Sequence, residues 1–138
     1  MALEELLQEL NRGGGWDWCI RSFDGCSLSL SAGSSSSYAQ HVVAFHGVCY
    51  LACPTEFSHP TFRVASTAER LSLSAQVAVD EDDTVVAIDA DSSVGMEPLT
   101  FFIVATSATL AAAGGVATTR AALVGAKAWP YRANSVGK

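Results

Sequence analysis

The chain predicts an α+β fold that is mostly β, with a mainly antiparallel sheet of about five to seven strands, an N-terminal amphipathic helix and a short C-terminal helix. Three observations carry that expectation. Leu3, Leu6, Leu7 and Leu10 recur at helical spacing within the first ten residues. From Trp16 onward the period changes to two, most plainly where Leu28 and Leu30 alternate with serines. Turn chemistry then punctuates the chain at Asp24-Gly25, His46-Gly47 and Asp80–Asp83, leaving runs of strand length between. The chain has 138 residues, 49% apolar and 16% charged, enough for one core of ordinary size. Residues 1–138 are therefore read as a single domain: helix over 1–12, a β-rich body over 16–110, and a small-residue, basic tail over 111–138.

The first helix carries Glu4 and Glu5 in its first turn, where carboxylates favour the dipole, and Asn11 to Gly15 stop it. Trp16, Trp18 and Ile20 alternate next. With Asp24-Gly25 as a two-residue loop, Arg21 pairs with Leu28 and Cys19 with Leu30, which puts the tryptophans on the serine face. Ser31 to Ser37 reads as a polar loop. Tyr38–Phe45 and Val48–Cys53 form a second hairpin around His46-Gly47, and Pro54 and Pro60 make the following stretch irregular. Ser66 and Glu69 resemble a capping box around one helical turn near Ala68. Leu71–Val79 and Val85–Ala90 read as strands joined by the acidic turn, Leu99–Val104 as a central strand within the apolar run to Leu110, and Thr119–Lys127 as a short helix. Edge strands are expected near the serine-rich hairpin, where polar side chains blunt aggregation.

A net charge of −6 lacks the basic footprint that nucleic acid requires. Pro98 to Thr119 carries no charge and is long enough to cross a bilayer, but its hydroxyl residues, Gly114-Gly115 and β-forming start argue against a membrane span at 98–119. MALEELLQEL has no basic region ahead of an apolar run, so a cytoplasmic location with thiols rather than disulfides is expected.

Chemistry-bearing residues crowd between His41 and Arg63, which holds all three histidines and two of the four cysteines. His41, His46, Cys49, Cys53 and His59 are the candidate metal ligands, since zinc takes imidazole and thiolate. Their spacing fits no common template, and the expected hairpin puts His41 on the opposite face from Cys49 and Cys53, so neither metal nor other cofactor is expected. Cys49 or Cys53 beside His59, with Asp89 or Asp91 orienting the ring, is the candidate nucleophile set; no Gly-x-Ser-x-Gly elbow accompanies it, and no catalytic set is expected. Asp89-x-Asp91-x-Ser93 begins like a calcium loop, but Val94 stands where its glycine belongs and Thr100 where its glutamate belongs.

With no reaction motif surviving, the expectation is a non-enzymatic protein-binding module of small acidic intracellular type that neutralises a partner with a basic face. Phe57 and Phe62 are its expected apolar anchors, His59 and Arg63 its polar contacts, and Asp80, Glu81, Asp82 and Asp83 its steering patch. The alternative is a small enzyme, or a ligand- or metal-binding protein, using the His/Cys cluster 41–63. A homo-oligomer is a third class that the composition admits.

Overall fold

The computed structural model describes residues 2–12, 17–32, 41–91, 97–112 and 119–123. Helix α1 (Leu3–Arg12) precedes β1 (Asp17–Phe23), β2 (Ser27–Ala32), β3 (His41–His46), β4 (Tyr50–Ala52), β5 (Glu56–Ser58) and β6 (Thr61–Val64). Helix α2 (Thr67–Ser74) follows, then β7 (Thr84–Ala90), β8 (Leu99–Ala105), β9 (Ser107–Ala112) and β10 (Thr119–Leu123). The chain is mostly β, antiparallel, with an N-terminal helix, as its pattern predicts. The strands divide between two sheets, six in the order β10-β9-β3-β2-β1-β5 and four in the order β4-β8-β7-β6. The core lies between the sheets and is filled by Leu28, Leu30, Val43 and Phe45 from the larger one and Phe62, Ile88 and Ile103 from the smaller. Leu6, Leu7 and Leu10 of α1 complete it.

Helix α1 packs along β6, an edge of the smaller sheet. The Asn11 amide there imitates a neighbouring strand: its Nδ2 donates to the Phe62 carbonyl at 2.9 Å, and its Oδ1 accepts from the Phe62 N–H at 2.8 Å. Both main-chain groups of a buried edge residue are thereby satisfied.

Several expected pairings change for identifiable reasons. In the first hairpin, Asp24 Oδ1 accepts from the N–H groups of Cys26 and Ser27 at 2.9 and 2.7 Å, which widens the loop beyond two residues. The Ser27 bond and then the Cys26 bond hold the Asp24 carboxyl below its usual range. A bulge between Ile20 and Ser22 sets Ile20 opposite Leu30 and Trp18 opposite Ala32, so Trp18 and Ile20 share the leucine face rather than the serine face.

His46-Gly47 is not a hairpin turn. β3 pairs with β2 and β9 in one sheet, whereas β4 pairs with β8 in the other. Gly47, at φ +67°, is the corner where the chain changes sheets. The run 99–110 changes sheets beside it at Thr106, whose N–H and hydroxyl both donate to the His46 carbonyl at 2.9 Å. That run is therefore a central strand twice, as β8 and then as β9.

The capping box at Ser66 and Glu69 is present in both directions, and it starts two helical turns rather than one. Leu71 is 68% exposed while Leu73 is buried, packed with Val85 and Val104 in a second, smaller core. The strand expected over Leu71–Val79 is thus helix α2 and its exit. Thr119–Leu123 is a strand paired with β9, not the start of a C-terminal helix. Serine-rich β2 lies inside its sheet between β1 and β3, because its serines line one face and its leucines the other. The expectations for Trp16, for 33–40, for 113–118 and for 124–138 fall outside the described residues. Among the described residues no helix is long and apolar enough to cross a membrane.

Candidate functional site

The sheets meet again where the chain passes from β5, an edge of the larger sheet, to β6, an edge of the smaller. His59 makes that passage at φ 52°, a left-handed conformation uncommon outside glycine. Contacts to both sides hold it. Its Nδ1 lies 2.8 Å from Asp91 Oδ2. The Asp91 N–H donates to the Ser58 carbonyl at 3.0 Å, and the Ser58 hydroxyl donates to Asp17 Oδ1 at 3.0 Å. Opposite, β4 covers β8 only from Phe102 to Val104 before Pro54, which has no N–H to offer a ladder, turns the chain away. On that side the Leu99–Phe101 end of β8 has no strand partner among the described residues.

The result is a concavity of about 590 Å³ at the open end of the inter-sheet space, lined by Pro54, Glu56, Phe57, Ser58, His59, Asp91, Leu99 and Phe101. Its floor is apolar. The rings of Phe57 and Phe101 lie 6.2 Å apart, and Leu99 is 48% exposed. Its rim carries the carboxylates of Glu56 and Asp91 beside the His59 imidazole.

Only part of the expected binding surface is gathered here. Phe57 and Phe62 are buried, at 6% and 2% exposure, and are corrected from surface anchors to core residues. Phe62 packs edge-on against Trp18 with ring centroids 4.9 Å apart. Arg63 is spent internally. Its guanidinium spans Glu69, at 2.7 and 2.8 Å, and Asp89, at 2.6 and 3.2 Å. These hydrogen bonds raise the Arg63 pKa, pull the Glu69 carboxyl down to about 2, and lower that of Asp89, which also accepts from the Thr100 hydroxyl.

The acidic turn is elsewhere. It precedes the first residue of β7 while the groove lies beyond its last, so a seven-residue strand, roughly 20 Å long, separates the two. Within that turn Asp83 is buried and its carboxylate accepts from the Asp80 N–H at 2.9 Å, while the Asp80 carbonyl accepts from Arg70 at 2.7 Å. Glu81 is left exposed and Asp82 half-buried. Of the expected contact residues, His59 reaches the groove rim and Phe57 its floor.

The thiol and metal candidates do not converge. Burial pushes the Cys53 thiol up to about 12, and its Sγ donates to the Pro54 carbonyl at 3.3 Å. Such a thiol is an inert one at neutral pH. Cys49 is exposed, and the His46 ring lies 3.2 Å from the Thr109 hydroxyl. The side chain of His41 is outside the described set. Among the described residues no three His, Cys, Asp or Glu side chains come together as metal ligands. The sequence pattern gives no weight to Glu56 or Leu99 as contacts, and brings in Asp91 only as a partner for His59 and in an incomplete calcium-loop pattern. The available signal was Pro54 and Pro60 bracketing an alternating Glu56-Phe57-Ser58 run, which is how a short edge strand reads. Compared with family models, curated proteins and solved structures, the chain matches none of them.

Proposed function

We propose that this chain is a non-enzymatic protein-binding module, of small acidic cytoplasmic type, whose contact surface is the groove beside β5 and whose partner presents a basic face. One observation carries the reading: an apolar floor at Leu99 and Phe101 lies under a rim bearing Glu56 and Asp91. An apolar centre within a charged rim is the anatomy of a contact surface, and carboxylates on the rim select and steer a cationic partner. The net charge of −6 acts in the same direction at long range.

Peptide selection tests the reading. A displayed random-peptide library is selected on the wild-type chain and counter-selected on the Glu56→Lys/Asp91→Lys variant. The expected survivors carry Lys or Arg and lose binding at least about tenfold on the variant. Survivors that bind both proteins equally contradict the groove as the contact surface.

The enzyme alternative draws on the His59–Asp91 contact, since a carboxylate on Nδ1 orients an imidazole as a base. The neighbouring hydroxyl and thiol are otherwise engaged, Ser58 with Asp17 and Cys53 with Pro54. The binding reading predicts that steady p-nitrophenyl acetate turnover is the same for the wild-type chain and for His59→Gln. A rate above buffer that His59→Gln removes would favour the enzyme.

A further inference from the structure

We infer that the groove takes its partner as an extended, lysine- or arginine-bearing segment that adds to β5 as a seventh strand of the larger sheet. The inference rests on the proposed binding role of the groove and specifies how it binds.

The first support is the unpaired edge. Ile20 N–H donates to the Thr55 carbonyl at 2.8 Å, and Cys19 lies opposite Glu56. In an antiparallel ladder, alternate residues turn their N–H and C=O to alternate sides. Phe57 therefore directs its main-chain groups at β1, while Glu56 and Ser58 direct theirs outward. The Ser58 carbonyl bears this out, since it accepts from the Asp91 N–H on the outer side. The N–H and C=O of Glu56 and the N–H of Ser58 thus face the groove, and no strand among the described residues pairs with β5 there. A segment laid along β5 makes two main-chain bonds to Glu56 and a third to Ser58, the means by which extended peptides join exposed sheet edges.

The second support is size and boundary. A strand residue occupies roughly 160 Å³, from a rise of about 3.4 Å, a strand spacing of about 4.8 Å and a sheet spacing of about 10 Å. The 590 Å³ of the groove then holds roughly three to four residues, the length of β5 itself. Pro54 lines the groove ahead of β5, and the Asp91 N–H takes up the Ser58 carbonyl at the far end of that strand.

The third is chemistry. Alternate side chains of an added strand point to opposite faces. One set falls on Leu99 and Phe101, and the other meets the rim carboxylates Glu56 and Asp91. An alternating apolar and cationic segment satisfies both. The bare edge also explains the rim charge, because carboxylates at an open edge discourage pairing between copies of an acidic chain.

The probe is acetyl-Lys-Val-Lys-Val-Lys-Val-amide, titrated against the full chain, together with two analogues N-methylated on the lysine amides or on the valine amides. The parent is expected to bind. One N-methyl register is expected to lose at least about tenfold in affinity while the other changes little, because only alternate amides face β5. Glu56→Lys and Asp91→Lys are each expected to weaken the parent several-fold. Equal tolerance of both N-methyl registers, with the charge reversals still damaging, overturns strand addition but leaves the groove as the contact surface. Binding indifferent to both reversals, or no binding at about 1 mM peptide, overturns the groove itself.

Discussion

Gly47 holds φ +67° with Thr106 packed against it, and a Cβ built there would stand 1.9 Å from the Thr106 hydroxyl oxygen. That hydroxyl donates to the His46 carbonyl, which the Thr106 N–H also holds, so swinging it away forfeits the hydroxyl's own bond in a buried place. Gly47→Ala is therefore expected to cost roughly 2–4 kcal/mol, read as a lower urea midpoint; an unchanged midpoint would show that the corner relaxes freely. Asn11→Ala strips both partners from the Phe62 main chain and is expected to cost about 1–3 kcal/mol, whereas a loss below about 0.5 kcal/mol would mean that water replaces the amide. Burial that pushes Cys53 up to about 12 predicts that iodoacetamide at pH 8 modifies exposed Cys49 well before Cys53, with mass mapping as the measurement. Comparable rates at the two thiols would contradict the burial. At this scale the sequence marks Gly47 as a place where the chain bends, though not which way, and Cys53 as a candidate ligand or nucleophile, which burial makes inert. Local pattern has no access to Asn11, whose role depends on an edge strand fifty residues away.

Among the elements, α2 is secured by a single guanidinium that ties its capping box to β6 and β7. Unfolded, Glu69 and Asp89 titrate near 4.5 and 3.8, and folded, Glu69 falls to about 2 while Asp89 is also lowered. A depressed carboxyl stabilises the fold fully above its unfolded pKa and ceases to as pH falls through the folded one. The network's contribution, about 1–2 kcal/mol after solvent screening of these partly exposed groups, is thus present at pH 6 and fades from about pH 4.5 to about pH 2. Arg63→Met is expected to lower stability at pH 6 and to flatten its decline over that window. Wild-type and variant curves that run parallel would dissociate the network from acid stability. The capping box was legible in Ser66 and Glu69, but the helix beyond it was not, because Leu71-Ser72-Leu73-Ser74 alternates as a strand does. Capping and the packing of Leu73 on Val85 and Val104 outweigh the short-range pattern. The serine alternation of β2 misled in another way, since a polar face and a polar edge have the same sequence signature.

Over the whole molecule, two sheets exchange strands at one corner, Gly47 and Thr106, and are stitched together at another by His59 and Asp91. Local pattern identified most strands but not their distribution between sheets, because crossing at a corner and turning in a hairpin use the same glycine. That ambiguity also separated the expected binding residues. Phe57 and Phe62 alternate inward from both sheets, and the acidic turn lies a strand's length from the groove. What the sequence did indicate is that the Pro54–Arg63 stretch is unusual, and it is there that an unpaired edge, an apolar floor and two carboxylates meet. The most direct test of this surface is a ¹H–¹⁵N chemical-shift map of the full chain titrated with acetyl-Lys-Val-Lys-Val-Lys-Val-amide. Saturable shifts concentrated on Glu56, Phe57, Ser58, His59, Asp91, Leu99 and Phe101 are the predicted result. Shifts centred instead on Glu81 and Asp82, or spread evenly over the exposed carboxylates, would contradict it.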